Sequence, residues 1–169
     1  MASRFPLLHT EPMTQRVILA TVMDRLAIDA VITGYARAVD DADWAAYRGL
    51  FAPGGRADYR SAGGIEGPAG EVAAWLAETM RLFLVRQHLI VNRRVEIQDL
   101  GGYPGDRADV TADYINPMRT DRGGAPSTAP DFVSGGRYAF VLRRMDGRTD
   151  GDWRLTRAVV HEKWRRTDN

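Results

Sequence analysis

Hydrophobic periodicity changes once along this chain, from helical spacing in the first half to strict alternation in the second. Between Thr14 and Asp40, Leu26, Ala27, Ala30, Val31, Gly34, Tyr35, Ala38 and Val39 fall on one broad arc of a helical wheel. Arg25, Asp29, Thr33 and Arg37 take the other side. Asp40-Asp-Ala-Asp43 interrupts the pattern, and Asp43 is placed to cap a second helix over Trp44 to Phe51, because its carboxylate accepts from free first-turn amides. Pro53-Gly-Gly55 closes that helix, and Arg56 to Ser61 reads as a short strand. Pro68 opens a third helix, Ala69 to Met80, with Val72, Leu76 and either Trp75 or Thr79 facing inward. After Met80 the period falls to two. Leu89, Val91, Val95 and Ile97 alternate, with a break at Arg93. Ala108, Val110, Ala112 and Tyr114 alternate against Asp109, Thr111 and Asp113. Arg137 to Met145 and Trp153 to Trp164 complete the strands.

Helices followed by a run of strands give an α+β order, unlike the regular alternation that builds a parallel, doubly wound sheet. Strands of ten or more residues imply a strongly bent sheet, able to wrap the helices and leave a blind cavity. The chain's 169 residues suit one domain, expected over residues 14–169 behind a flexible leader at 1–13. Residues 119–130, rich in Gly, Pro, Ser and Thr, read as a second mobile stretch. A formal charge of +1 provides no basic field for nucleic acid or an anionic membrane, and no apolar run is long enough to span a bilayer. The expected location is therefore cytoplasmic.

The motif search mostly excludes. Walker, GxGxxG, HExxH and GxSxG signatures are absent, and five Gly-Gly pairs (54–55, 63–64, 101–102, 123–124 and 135–136) read as turns. Without cysteine, and with His9, His88 and His161 widely separated, no metal-ligand spacing occurs, so neither a metal nor an organic cofactor is expected. His88, in Arg86-Gln-His-Leu-Ile, is the residue suited to acid–base chemistry at neutral pH. Such a histidine needs a carboxylate to orient it, and Asp40 and Asp113 are the candidates. The other aromatic side chains, among them Trp44, Phe51, Trp75, Tyr138 and Phe140, suit core or pocket wall.

Asp24-Arg-Leu-Ala-Ile28, Tyr35-Ala-Arg-Ala-Val-Asp40-Asp-Ala-Asp-Trp44, Leu50-Phe-Ala-Pro53, Gln87-His-Leu-Ile and Gly151-Asp-Trp-Arg-Leu155 resemble, in order, SnoaL-like proteins of the NTF2-like superfamily. The resemblance covers roughly residues 22 to 166. It implies an α+β cone, with N-terminal helices packed on a strongly curved mixed or antiparallel sheet around a pocket. Arg56-Ala-Asp-Tyr-Arg-Ser61 is similar to the scytalone dehydratase segment that carries a water-holding tyrosine, here Tyr59, and that family's Asp–His pair falls on Asp40 and His88. Its other tyrosine falls on Val39, and its second histidine and Ser/Asn pair lack counterparts. Bile-acid 7α-dehydratases resemble the chain through Tyr35, Asp40, His88 and Asp113, with a late arginine at Arg154 or Arg157.

These resemblances imply cofactor-free acid–base catalysis (dehydration, isomerisation or cyclisation) on a small, largely apolar, oxygenated ring such as a polyketide or steroid-like molecule. His88, oriented by Asp40, is the base; Tyr35 or Tyr59 supports the developing oxyanion; Asp113 is a second carboxylate. Trp44, Tyr114, Tyr138 and Arg157 are the expected substrate-binding residues. Epoxide opening in the same fold, and a non-catalytic binding or dimerisation module, are the alternatives. Small residues Ala38, Ala57, Ala108 and Ala112 favour an open cavity. Apolar residues of both parities in the last strand (Trp153, Leu155 and Val159; Ala158, Val160 and Trp164) suggest that the outer sheet face meets a partner, making a homodimer.

Overall fold

The structure is a computed structural model that describes residues 12–121, 128–145 and 152–168. The leader expected at 1–13 and the centre of the 119–130 stretch therefore fall largely outside the described residues, as does His9. Three α-helices, α1 (Pro12–Asp40), α2 (Trp44–Gly49) and α3 (Ala69–Met80), pack on a seven-stranded sheet. The strands are β1 (Phe51–Asp58), β2 (Glu66–Pro68), β3 (Phe83–Arg86), β4 (Leu89–Asp99), β5 (Pro104–Thr120), β6 (Phe132–Arg144) and β7 (Trp153–Thr167). Their order is β2-β1-β7-β6-β5-β3, with β4 also paired to β5. All these pairs are antiparallel except β1 with β7, so the sheet is mixed.

Local chemistry sets the helix ends. The Asp43 carboxylate accepts from the Ala46 amide at 2.9 Å, as expected of an N-cap. Helix α3 has the bounds that the sequence predicts, with Val72 and Leu76 buried. In α1 the buried stripe is Ile28, Ile32, Tyr35 and Val39, whereas Leu26 is exposed. That stripe continues one turn back to Asp24, which is buried because Arg144 and Trp153 receive it. Tyr35 meets Tyr138 and Phe140 edge-on, seating α1 on the inward face of β6.

Bulges explain where the strands depart from simple alternation. Pro53-Gly54-Gly55 does not end α2; it lies inside β1, where the register with β7 shifts and Gly54 takes φ +76°. Gly135-Gly136 likewise lies within β6 at a register shift, so these two pairs are strand positions and not turns. A Cβ at Gly136 would run into the His161 carbonyl oxygen, so the close approach of β7 requires glycine there. In β4 the inward residue of the first segment is Ile90, with Leu89 and Val91 exposed. The shift near Asn92 (φ 52°) then turns Val95 and Ile97 toward the core.

The bulge in β7 removes one argument made from the sequence. Val141 pairs with Arg157 and Leu142 with Leu155, leaving Thr156 as the extra residue. The phase reverses there, so Trp153, Leu155, Ala158 and Val160 are all buried on the same side. The bulge thus accounts for four of the six apolar residues, while Val159 is half-buried and Trp164 is exposed. The outer face of the sheet instead carries ion pairs, including Arg107–Asp109 and Arg137–Asp113. Among the described residues, no helix is long and apolar enough to cross a membrane.

Candidate active site

Helix α1 ends at Asp40, and the chain turns there through Ala42 at φ 55°. Arg86, at the end of β3, fixes the neighbourhood: its guanidinium donates to the Asp40 carbonyl at 3.2 Å and to the Met80 carbonyl at 3.0 Å. One cation thus binds the C-terminal ends of α1 and α3, where unpaired carbonyls and the helix dipoles favour positive charge. Two residues later, His88 meets the Asp40 side chain twice. Its backbone amide donates to Oδ2 at 2.9 Å, and its ring Nδ1 lies 2.6 Å from Oδ1. A carboxylate there accepts, so Nδ1 carries the proton and Nε2 is left as the basic nitrogen. The His88 side chain is 8% exposed and Asp40 20%.

His88 lines a cavity of about 290 Å³ between helices and sheet. Trp75, Leu76, Met80 and Phe132 contribute apolar wall; Tyr59, Tyr114 and Tyr138 contribute phenols. The Tyr59 hydroxyl is hydrogen-bonded to that of Tyr35, which is fully buried behind it. Burial pushes the ionisation of both well above the ordinary tyrosine range. Tyr47 stands beside Tyr35, with desolvation raising it to about 12. Burial likewise raises Tyr138 and Tyr114. These phenols are neutral hydrogen-bond donors throughout the physiological range.

The structure therefore brings His88, Tyr59, Tyr114 and Tyr138 to one cavity, with Asp40 bonded to His88 and Tyr35 directly behind Tyr59. Other expected site residues lie elsewhere. Asp113 projects from the outer face of β5, bonded to Arg137 at 2.8 Å and Asn92 at 3.3 Å. Its place follows from alternation, since Ala112, Tyr114 and Asn116 take the inward positions. Trp44 packs on Tyr47 at 6.3 Å and is not part of the cavity lining. Arg157 is exposed on β7, and Arg154 is held by Asp152 and the Gly49 carbonyl. Neither late arginine reaches this cavity. Ala38, Ala57, Ala108 and Ala112 are buried in the core, not set along the cavity wall.

Four polar lining residues were not singled out from the sequence: Asn116, Ser134, Glu162 and Arg165. The Ser134 hydroxyl donates to Glu162 at 2.8 Å, and Arg165 pairs with the same carboxylate at 2.8 Å. A signal for Asn116 was present, because it continues the inward parity of Ala112 and Tyr114 and is the polar exception on that face. Glu162 follows a register shift, which hides its direction from any alternation count. Among the described residues, no three His, Asp or Glu side chains converge as a metal site would need. A larger recess of about 600 Å³, near Arg48, Phe51 and Arg154, has no histidine among its described lining residues.

Comparison with known proteins agrees with this architecture. The family model described as SnoaL-like domain matches residues 20–159. The uncharacterized protein Rv2910c of Mycobacterium tuberculosis (strain ATCC 25618 / H37Rv) is 30% identical over 100 residues, 59% of this chain and 64% of that protein. The chain thus spans 64% of the length of the curated relatives it matches. Among solved structures, hexachlorocyclohexane dehydrochlorinase LinA-type3 from Novosphingobium barchaimii LL02 superposes with a TM-score of 0.69 at 14% identity, covering 88% of this chain and 92% of the other. A proposed scytalone dehydratase from Novosphingobium aromaticivorans DSM 12444 gives 0.63 at 15% identity, covering 89% and 91%. At these identities the likeness is one of fold.

Proposed function

The chain belongs to the SnoaL-like domain family, and on that premise we propose that it is an acid–base enzyme that removes water, or a comparable leaving group, from a small oxygenated ring compound. One observation carries this reading: Asp40 accepts from Nδ1 of His88 at 2.6 Å, so an oriented imidazole presents its basic nitrogen on a residue that lines a mostly apolar cavity. A histidine that served packing alone would not need its tautomer fixed by a carboxylate bonded to both its ring and its backbone amide.

The steps follow from the groups present. His88 Nε2 takes the proton next to a ring carbonyl, and the C–H pair moves toward that carbonyl as an enolate. Tyr59, neutral and backed by Tyr35, donates to the oxygen where charge gathers. The pair then forms the new C=C bond as the neighbouring C–O bond breaks. Imidazolium returns its proton to the departing hydroxyl, so water leaves and the enzyme is restored. Asp40 stabilises the imidazolium between the two transfers. A cavity of about 290 Å³ suits one or two rings, at the small end of ligand sites. Two of the neighbours bear the names dehydrochlorinase and dehydratase, both eliminations, which supports the choice of reaction class.

Product analysis tests the reading. Cyclic β-hydroxy ketones of one and two rings, and epoxides on the same skeletons, are offered to the purified protein and to His88→Ala. The expected result is an enone that forms with the wild-type protein and not with the variant. Opening of an epoxide with every hydroxy ketone left intact contradicts the proposal and favours epoxide chemistry.

A further inference from the structure

A row of polar groups crosses the cavity floor that the Asp40–His88 chemistry leaves unused. Arg86 pairs with Met118 across β3 and β5, and Leu89 with Ile115 across β4 and β5. His88, in the link from β3 to β4, falls between these two pairs, beside the stretch of β5 that carries Asn116. Asn116 in turn pairs with Ser134, and Ser134 with Arg165. His88 and Asn116 thus sit on neighbouring segments of the chain. Both residues line the cavity.

Members of this row differ in what they have left to offer. Ser134 is engaged with Glu162, and Glu162 is held by both Ser134 and Arg165. Asn116 is 6% exposed, and its Oδ1 has no hydrogen-bond partner among the described residues. The amide lies against the Tyr138 hydroxyl, leaving the carbonyl side unmatched. An acceptor on a cavity wall with no protein donor is available to a donor held in the cavity. A leucine would fill similar space but offer no acceptor to a molecule in the cavity.

We propose that Asn116 determines specificity: its Oδ1 accepts a hydrogen bond from a hydroxyl of the substrate, within one ring's width of the carbon that His88 deprotonates. The assignment rests on this cavity being the substrate site, as proposed above. It narrows the substrate class to hydroxylated cyclic ketones, because a purely ketonic or hydrocarbon ring leaves the Asn116 carbonyl unpaired. Sites built to bond a hydroxyl reject analogues that lack it far more strongly than apolar pockets reject a missing methylene.

Calorimetric binding of matched probes tests this. The probes are α-tetralone, its hydroxy isomers on the aromatic ring, and the matching methoxy compounds, which accept hydrogen bonds but cannot donate them. In the wild-type protein the best hydroxy isomer is expected to bind roughly tenfold more tightly than the other two classes. Asn116→Leu is expected to level the three affinities. His88→Ala is expected to retain the hydroxyl preference whether or not the protein catalyses elimination, so failure of the chemistry and failure of this assignment give different patterns. Equal affinities in the wild-type protein, a preference that survives in folded Asn116→Leu, or no binding of any probe at millimolar concentration overturns the proposal. Should Asn116→Leu not fold, the wild-type comparison of hydroxy with methoxy probes decides alone.

Discussion

Replacing Asp24 by Ala is expected to destabilise the fold by about 3–5 kcal/mol, the usual cost of stranding one partner of a buried ion pair. The carboxylate is 2% exposed and the facing Arg144 side chain 3%. Two parallel bonds of 2.7 Å join them, and the Trp153 indole donates to the same carboxylate at 3.0 Å. The guanidinium also lies 4.7 Å from the Trp153 ring centroid. Removing the carboxylate therefore leaves the indole N–H without its acceptor and the guanidinium with only its longer contacts to the exposed Asp106 at 3.3 Å and the Gly105 carbonyl at 3.4 Å, while α1 loses its tie to β6 and β7. At roughly 2–4 °C per kcal/mol for a domain of this size, the midpoint falls by about 6–20 °C. Urea unfolding of Asp24→Ala, Arg144→Met and the double variant measures it. The double variant should be more stable than Asp24→Ala, because it removes the buried guanidinium whose close carboxylate has gone. A cost below about 1 kcal/mol for Asp24→Ala, the range of exposed pairs, would show that water reaches the pair and that the reasoning from burial is wrong.

Two further outcomes follow from the phenols and the outer sheet face. Burial raises the ionisation of Tyr35, Tyr47, Tyr59, Tyr114 and Tyr138, so the folded state holds protons that the unfolded state releases near pH 10. Stability is thus intact below about pH 10 and declines as pH rises toward 12, and the tyrosinate absorbance should appear together with unfolding, as followed by parallel absorbance and circular dichroism. Asp113→Asn should leave turnover at the wild-type level, because that carboxylate faces Arg137 and Lys163 on the outer surface. A loss of turnover comparable to that of His88→Ala, in a steady-state assay, would place Asp113 in the chemistry after all.

The features readable from sequence were those fixed by neighbouring residues. Asp43 caps α2 through an amide three positions away, and α3 begins directly after Pro68 and buries a stripe that its own spacing specifies. The Asp40–His88 juxtaposition joins residues 48 positions apart, and a resemblance to known families pointed to it where periodicity alone did not. Bulges were hidden, because the extra residue at Thr156 and the shift at Gly135-Gly136 are defined by the partner strand and not by the strand itself. Those bulges decide which way Glu162 faces and why Trp153, Leu155, Ala158 and Val160 share one face of β7 despite their mixed parity. Asp113 and Arg157 drew attention as charged residues on strands, yet alternation and the β7 bulge turn both away from the cavity.

The central claim is that His88, held by Asp40, moves the proton, and solvent deuterium exchange tests it most directly. A cyclic β-hydroxy ketone accepted by the protein is incubated in deuterated water, and label at the carbon next to the carbonyl is followed with loss of water. Wild-type protein is expected to promote both. His88→Ala and Asp40→Asn should each slow them by roughly 10²–10⁴ at unchanged unfolding midpoint, the usual worth of general acid–base catalysis. The double variant should be little slower than the weaker single variant, because the two side chains act as one unit. Exchange and elimination that proceed at wild-type rates per folded molecule in His88→Ala would contradict the account.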